Sequence, residues 1–301
     1  MPYRFRPDKP IQKEARRIAK EQLSRAIDDL SVSAEALHTG VHEARKRLKK
    51  LRALLRLLRP NLNELYQAEN AALRDAARRL SDLRDAEALI ESLDLLAERY
   101  REELDGALLE TARRALRQRR EAIAARLRLD ERAAEVIDRL GEAKRRVKNW
   151  SPDGSGFDAL TGGLQKTYRR ARRAMNEAYD EPADERFHEW RKRVKYHRYH
   201  VRMLRSIWEP VLEVRRDELK TLTDRLGDDH DLVVLRETIR AEPGNLGDAD
   251  AERRLLELID RRSAELRAEA RPLGARLFAE KPRRLAGRFE RYWQAAASET
   301  G

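Results

Sequence analysis

His42, Arg45, Lys46, Lys49, Arg52 and Arg56 stand three and four residues apart in the segment HEARKRLKKLRALLR. The same residue types return in register at His188, Arg191, Lys192, Lys195, Arg198 and Arg202, in HEWRKRVKYHRYHVR. On a helix of 3.6 residues per turn, His42, Arg45, Lys49, Arg52 and Arg56 form one narrow row about 21 Å long, and the second set repeats it. Arg can grip phosphate oxygens with two parallel hydrogen bonds, and Lys supplies a point charge. Like charges spaced i, i+4 destabilise a helix by a few tenths of a kcal/mol per pair, and compensating carboxylates are few at these spacings. A solvated basic face explains one such row; two matched rows point to a shared polyanionic ligand. Upstream, Lys13, Arg16, Arg17 and Lys20 form a further basic row, matched by Lys166, Arg169, Arg170 and Arg173. All four rows are expected to share a neighbour.

Other chemistry is thinly represented. His42 and His188 are expected in the first turn of their helices, where the helix dipole disfavours a protonated ring and a nearby phosphate favours one. His38, His197, His200 and His230 have no histidine counterpart in the other half and are read as packed or exposed. The pairs Asp82/Asp85 and Asp228/Asp231 invite a metal or acid–base reading. However, a helix ending at Gly227 would let the first Asp cap the next helix and the second sit in its first turn, and either could pair with the basic rows. There is no phosphate-binding Gly-rich loop, nucleophile elbow or His-Glu-x-x-His helix. The four Trp residues are expected to pack, and no aromatic series alternates with the basic rows, which disfavours base stacking on a single strand.

The elements that must position these side chains are helical. Ala44, Leu48, Leu51, Leu55 and Leu58 flank the first row, and Trp190, Val194, Val201 and Leu204 the second, so each helix has an anchoring stripe beside a displayed one. Strand signals are nearly absent, and 40% of the residues are charged, as in long surface-charged helices, so the fold class is all-α. Breakers stand at Leu37–Gly40, Ser151–Gly156, Glu181–Glu185 and Glu242–Asp250. Further helices are expected over Leu104–Leu127, Arg132–Val147, Asp250–Arg271 and Arg283–Trp293. Register between the halves holds without a gap to Leu80, Asp82, Asp85 and Glu91 against Leu226, Asp228, Asp231 and Glu237. A helix, a break and the next helix are therefore duplicated together. The boundaries drawn are 1–150 for the first half and 157–301 for the second, with 151–156 as linker.

The formal charge of +12, from 66 Lys and Arg against 54 Asp and Glu, suits a polyanion without choosing among nucleic acid, membrane surface and phosphate polymer. The absence of cysteine excludes thiolate metal sites. The start, MPYRFRPDKP, lacks the apolar run of a signal peptide, and no stretch approaches the roughly 20 apolar residues of a membrane span. A cytoplasmic protein without a membrane segment is expected.

The duplicated His-Glu-x-Arg-Lys-Arg-x-Lys helix, the Leu-x-Asp-x-x-Asp segments at Leu80–Asp85 and Leu226–Asp231, and the closing KPRRLAGRFERYW (Lys281–Trp293) resemble the CHAD family, the conserved histidine α-helical domain. The resemblance covers nearly the whole chain. It implies two related helical bundles arranged with pseudo-twofold symmetry around a basic groove or pore. It also implies binding of inorganic polyphosphate and recruitment to polyphosphate granules and their proteins, without catalysis or a cofactor. The polyphosphate role carries over to the twelve residues of the two central rows, and then to the upstream rows around Lys13 and Lys166. The Glu-x-Glu-x-Lys signature of the CYTH domain that many relatives carry is absent, so a stand-alone module is expected. The alternatives are a metal-assisted phosphohydrolase or phosphotransferase using His42 or His188, and nonspecific binding to nucleic-acid backbone.

Overall fold

A computed structural model describes residues 3–126, 128–241 and 249–299, with the side chains of 82–84 outside the description. Every regular element among the described residues is helical, as the residue pattern requires. The helices are α1 (Ile11–Leu30), α2 (Leu37–Leu58), α3 (Asn63–Arg79), α4 (Asp82–Arg99), α5 (Gly106–Arg126) and α6 (Leu129–Arg146), then α7 (Asp158–Asp180), α8 (Asp184–Leu204), α9 (Glu209–Ala241), α10 (Ala249–Leu277) and α11 (Pro282–Ser298). The four outlying helices expected from periodicity thus appear as α5, α6, α10 and α11. The break at Ser151–Gly156 falls between helices, and of Glu181–Glu185 the first three residues separate α7 from α8 while Asp184 and Glu185 open α8. Of the break at Glu242–Asp250, residues 242–248 lie outside the described residues.

Two expected breaks are corrected. Leu37 opens α2, and Gly40 lies within it. A Cβ on Gly40 would sit 2.0 Å from the Asp29 carbonyl oxygen, so this glycine permits close approach of α1 and α2 rather than ending a helix. His42 consequently lies in the second turn of α2, and His188 in the second turn of α8, behind Asp184. The dipole argument for the two histidines falls away, because the effect fades beyond the first turn. Nor does Gly227 end a helix: α9 runs unbroken from Glu209 to Ala241, about 50 Å at 1.5 Å per residue. A glycine inside a helix costs about 1 kcal/mol, and burial of Leu222, Leu226, Leu232 and Leu235 along α9 outweighs it. Only the first half keeps the break, at Leu80–Ser81 between α3 and α4.

Two apolar cores result. The larger draws on α1, α2, α3 and α6 and on α7, α8, the first part of α9, the end of α10 and α11; the smaller joins α4 and α5 to the rest of α9 and the first part of α10. α2 is the central helix. Besides its expected stripe it buries Ala53, Leu54 and Leu57 completely. Trp150, Trp190 and Trp293 pack as expected, whereas Trp208 is half exposed, edge-on to Tyr292 at 4.6 Å.

His197 and His200 are fully buried, matching the packing reading. His200 Nε2–H donates to the Ala53 carbonyl oxygen at 3.0 Å, tying α8 to α2. His197 packs edge-on against Tyr168, with ring centroids 5.1 Å apart. Burial holds both rings neutral: His200 is pushed down to about 3, and His197 falls well below the usual imidazole range, helped by the neighbouring Arg215 charge. In the unfolded chain these rings take up protons below about pH 6.5, whereas the folded protein cannot match that uptake. The stability they contribute is present above that pH and is lost as pH falls. At about pH 5 the loss should be roughly 2 kcal/mol for His200, and His197 adds to it in the same direction. Urea midpoints at neutral and mildly acid pH should show it, and His200→Gln should lower the acid sensitivity; midpoints independent of pH would contradict the assignment.

Candidate functional site

Burial of Ala44, Leu48, Leu51, Leu55 and Leu58 fixes the rotation of α2, and burial of Trp190, Val194, Val201 and Leu204 fixes that of α8. Their displayed faces then line one open cleft of ≈ 420 Å³. α2 contributes His42, Arg45, Lys46, Lys49 and Arg52; α8 contributes Arg191, Lys192 and Lys195. Asp85 and Ala88 of α4 and His230 and Asp231 of α9 also line it.

Two ion pairs recur at matched positions of the two walls. Arg45 reaches Asp85 at 3.3 Å, and Arg191 reaches Asp231 at 4.0 Å. Lys46 pairs with Glu43 at 2.6 Å, and Lys192 with Glu189 at 2.7 Å. Asp85 and Asp231 thus serve the ion-pairing role that the sequence allowed. The capping role is corrected for the second pair, since Asp228 and Asp231 lie inside α9. Burial, with Asp231 and Asp224 nearby, raises the Asp228 carboxyl. In the first half Asp85 does stand in the first turn of α4, while the side chain of Asp82 lies outside the described residues.

The cleft is electrostatically strained in one direction. Lys195 is pushed well below the usual lysine range by burial and by the charges of Lys49, Arg191 and Arg198, against which Asp231 acts. His188 and His230 meet Nδ1 to Nδ1 at 3.0 Å, one ring donating and the other accepting, with centroids 4.1 Å apart. Burial first lowers both rings, helped at His188 by the Lys192 and Arg191 charges against Glu189, and at His230, which is pushed down to about 3, by Arg191, His188, Lys195 and Lys192. An anion entering here would relieve repulsion among cations that already face one another.

The remaining expected residues lie elsewhere. Arg56 follows Arg52 by one turn, donates to the Arg52 carbonyl at 2.8 Å and stacks on Tyr196 at 3.8 Å. Arg198 donates to Thr223 Oγ1 at 2.9 Å, and Arg202 is half-buried near Tyr3 and Tyr199. The upstream rows do not line this cleft, contrary to the expectation of a common neighbour. Arg16 donates to the Trp150 carbonyl at 2.7 Å, and Arg17 binds buried Glu14 and the Arg4 carbonyl. Lys13 and Lys20 are exposed, and Arg173 pairs with Glu177 at 2.6 Å. Lys166, Arg169 and Arg170 are exposed on α7.

Sequence reasoning missed Tyr196, Tyr199 and His230 as lining residues. For His230 a signal existed: the repeat register sets it opposite Arg84, a basic residue in both copies, although not a histidine in both.

Among the described residues no helix is long and apolar enough to cross a membrane, and no three His, Asp or Glu side chains converge as metal ligands. The CHAD domain model matches residues 11–240. An uncharacterized protein of Mycobacterium tuberculosis (strain CDC 1551 / Oshkosh), MT2285, is 28% identical over 253 residues. An uncharacterized protein of the H37Rv strain, Rv2226, is 28% identical over 252. Each alignment covers 77% of this chain but 45% of the relative, so the chain spans about half the length of these proteins. PptA from Streptomyces chartreusis, a solved structure, shares the fold with a TM-score of 0.52 and 15% identity, over 95% of this chain and 100% of its own.

Proposed function

The chain belongs to the CHAD-domain family, and from that premise we propose that it binds inorganic polyphosphate in the cleft between α2 and α8. One observation carries the reading: duplicated cations on two different helices line a single cleft, where Lys195 is partly buried among like charges. A flexible chain with one negative charge per phosphate can follow both rows at once, and each phosphate contact releases counterions. We read the halves as related bundles about a pseudo-twofold axis with this cleft as the basic groove between them. The matched pairs Arg45–Asp85 and Arg191–Asp231 support that reading. The role is binding rather than catalysis, serving to recruit the protein to polyphosphate granules and their proteins in the cytoplasm. His188 spends its Nδ1 on His230, which favours a positional role for this histidine over proton transfer to a substrate.

The test compares ligands at equal phosphate concentration. Long-chain polyphosphate should bind at least roughly tenfold more tightly than tripolyphosphate, because a chain held by one wall meets the other at high effective concentration. Duplex DNA should fail to displace it. Affinity independent of chain length, or displacement by DNA, would remove the reading. Phosphate release with magnesium, abolished by His42→Ala with His188→Ala, would replace it with an enzyme.

A further inference from the structure

A second group of cations lies beyond the cleft, where the end of α2 meets α7. Gly163 of α7 sits against α2 so closely that a Cβ there would lie 1.8 Å from the Leu57 carbonyl oxygen. Lys166 and Arg170 follow Gly163 at i+3 and i+7, on the same face of α7, and are thereby turned toward Arg59. The Arg59 charge is the largest influence lowering Lys166, ahead of burial and of Arg170 and Arg169. Burial, then the charges of Arg193 and Arg59, lower Arg170, against which Glu189 acts. Among the described residues no carboxylate lies within ion-pair distance of Arg59, Lys166, Arg169 or Arg170, while Arg193 shares Glu189 with Lys192.

The matched positions of the other half are compensated. Arg205, the counterpart of Arg59, has Glu209 at 3.7 Å and Glu213 at 3.8 Å; in the first half these acids are replaced by Asn63 and Gln67. Arg17, the counterpart of Arg170, has buried Glu14 at 2.7 Å, where α7 has Thr167. Three acids that neutralise one copy are therefore neutral residues in the other. The cationic side chains have stayed and their partners have not, which a merely solvated surface does not require. Arg56 bridges the two groups, bonded to the Arg52 carbonyl on the cleft side and close to the Arg193 charge on the other.

We propose that Arg59, Lys166, Arg169 and Arg170 form a second phosphate-binding subsite, which holds the part of a polyphosphate chain that leaves the cleft past Arg52 and Arg56. The inference rests on the polyphosphate reading of the cleft. It gives the bound chain one exit, at the end of α2, and lets long chains use contacts that short ones never reach. From Arg52 to Arg59 the path is about 10 Å along the helix.

Two variants test it by titration with tripolyphosphate and with long-chain polyphosphate. Lys166→Ala with Arg170→Ala removes two cations. Gln67→Glu removes none and instead supplies, at an exposed position within α3, the acid that stands as Glu213 beside Arg205. Each should weaken long-chain binding roughly tenfold and leave tripolyphosphate binding unchanged. Lys49→Ala with Lys195→Ala should weaken both ligands. Equal loss for both ligands in the first two variants would merge the subsite with the cleft and overturn the proposal. Normal binding of both ligands by those variants would overturn it while leaving the cleft reading intact. If the unaltered protein binds neither ligand, the cleft reading fails and the subsite with it.

Discussion

Replacing Arg45, Lys49, Arg191 and Lys195 together by Ala should weaken polyphosphate binding by several hundredfold. The figure follows from about 1 kcal/mol for each of four partly exposed cations, at about 1.4 kcal/mol per factor of ten. The dependence of affinity on salt should flatten at the same time, because each lost phosphate contact removes one released counterion. The fold should survive: none of the four side chains belongs to either core, and Lys49, Arg191 and Lys195 repel one another, so their joint removal takes away that repulsion. Calorimetric titration at several salt concentrations, with a thermal melt as control, separates the two effects. An unchanged salt slope in a folded variant would place the ligand away from α2 and α8.

The second large effect concerns packing. Gly163→Ala places a methyl group 1.8 Å from the Leu57 carbonyl oxygen and 2.8 Å from that of Arg56. These are backbone atoms inside a helix and cannot turn aside, so α2 and α7 must separate. Overpacking of this kind costs about 3 kcal/mol, or a melting temperature lower by roughly 5–10 °C. Gly287→Ala in α11 is the matched comparison. Nothing lies within 4 Å of the Cβ it adds, so the better helix propensity of alanine should stabilise by up to about 1 kcal/mol. If the two variants melted alike, the close approach of α2 and α7 would be wrong.

The central helices were legible in the sequence because two independent signals agreed. The apolar stripe of α2 gave its inward face, and the cationic row repeated at α8 gave its outward one. Both faces stand where the spacing put them, and they meet in one cleft. The upstream rows read equally well by spacing and went elsewhere. Spacing fixes the side of a helix but not its neighbour: Arg16 and Arg17 face a carbonyl and a buried carboxylate, while Lys166 and Arg170 face Arg59. Gly40 and Gly227 misled for a related reason. A glycine in a periodic segment reads as a stop, but α1 comes so near to Gly40 that no side chain fits, and α9 passes through Gly227 because its buried leucines continue on both sides. His230 was set aside for lacking a histidine twin, although the trait held in common with Arg84 was basicity.

The break between α3 and α4 also makes the two walls chemically unequal. A helix that ends leaves carbonyls without intrahelical partners, and at Leu80 one of them accepts a hydrogen bond from Arg45 at 2.8 Å. α9 does not end at the matching place, so Arg191 finds no such acceptor there, and its buried Nε–H has no hydrogen-bond partner among the described atoms. Of two arginines that are interchangeable on paper, one has part of its donor capacity committed to the backbone while the other holds a donor in reserve. One guanidinium is thus tied to a carbonyl and a carboxylate while the other keeps a buried donor unpartnered, and the asymmetry comes from whether a helix was interrupted rather than from any difference between the two side chains.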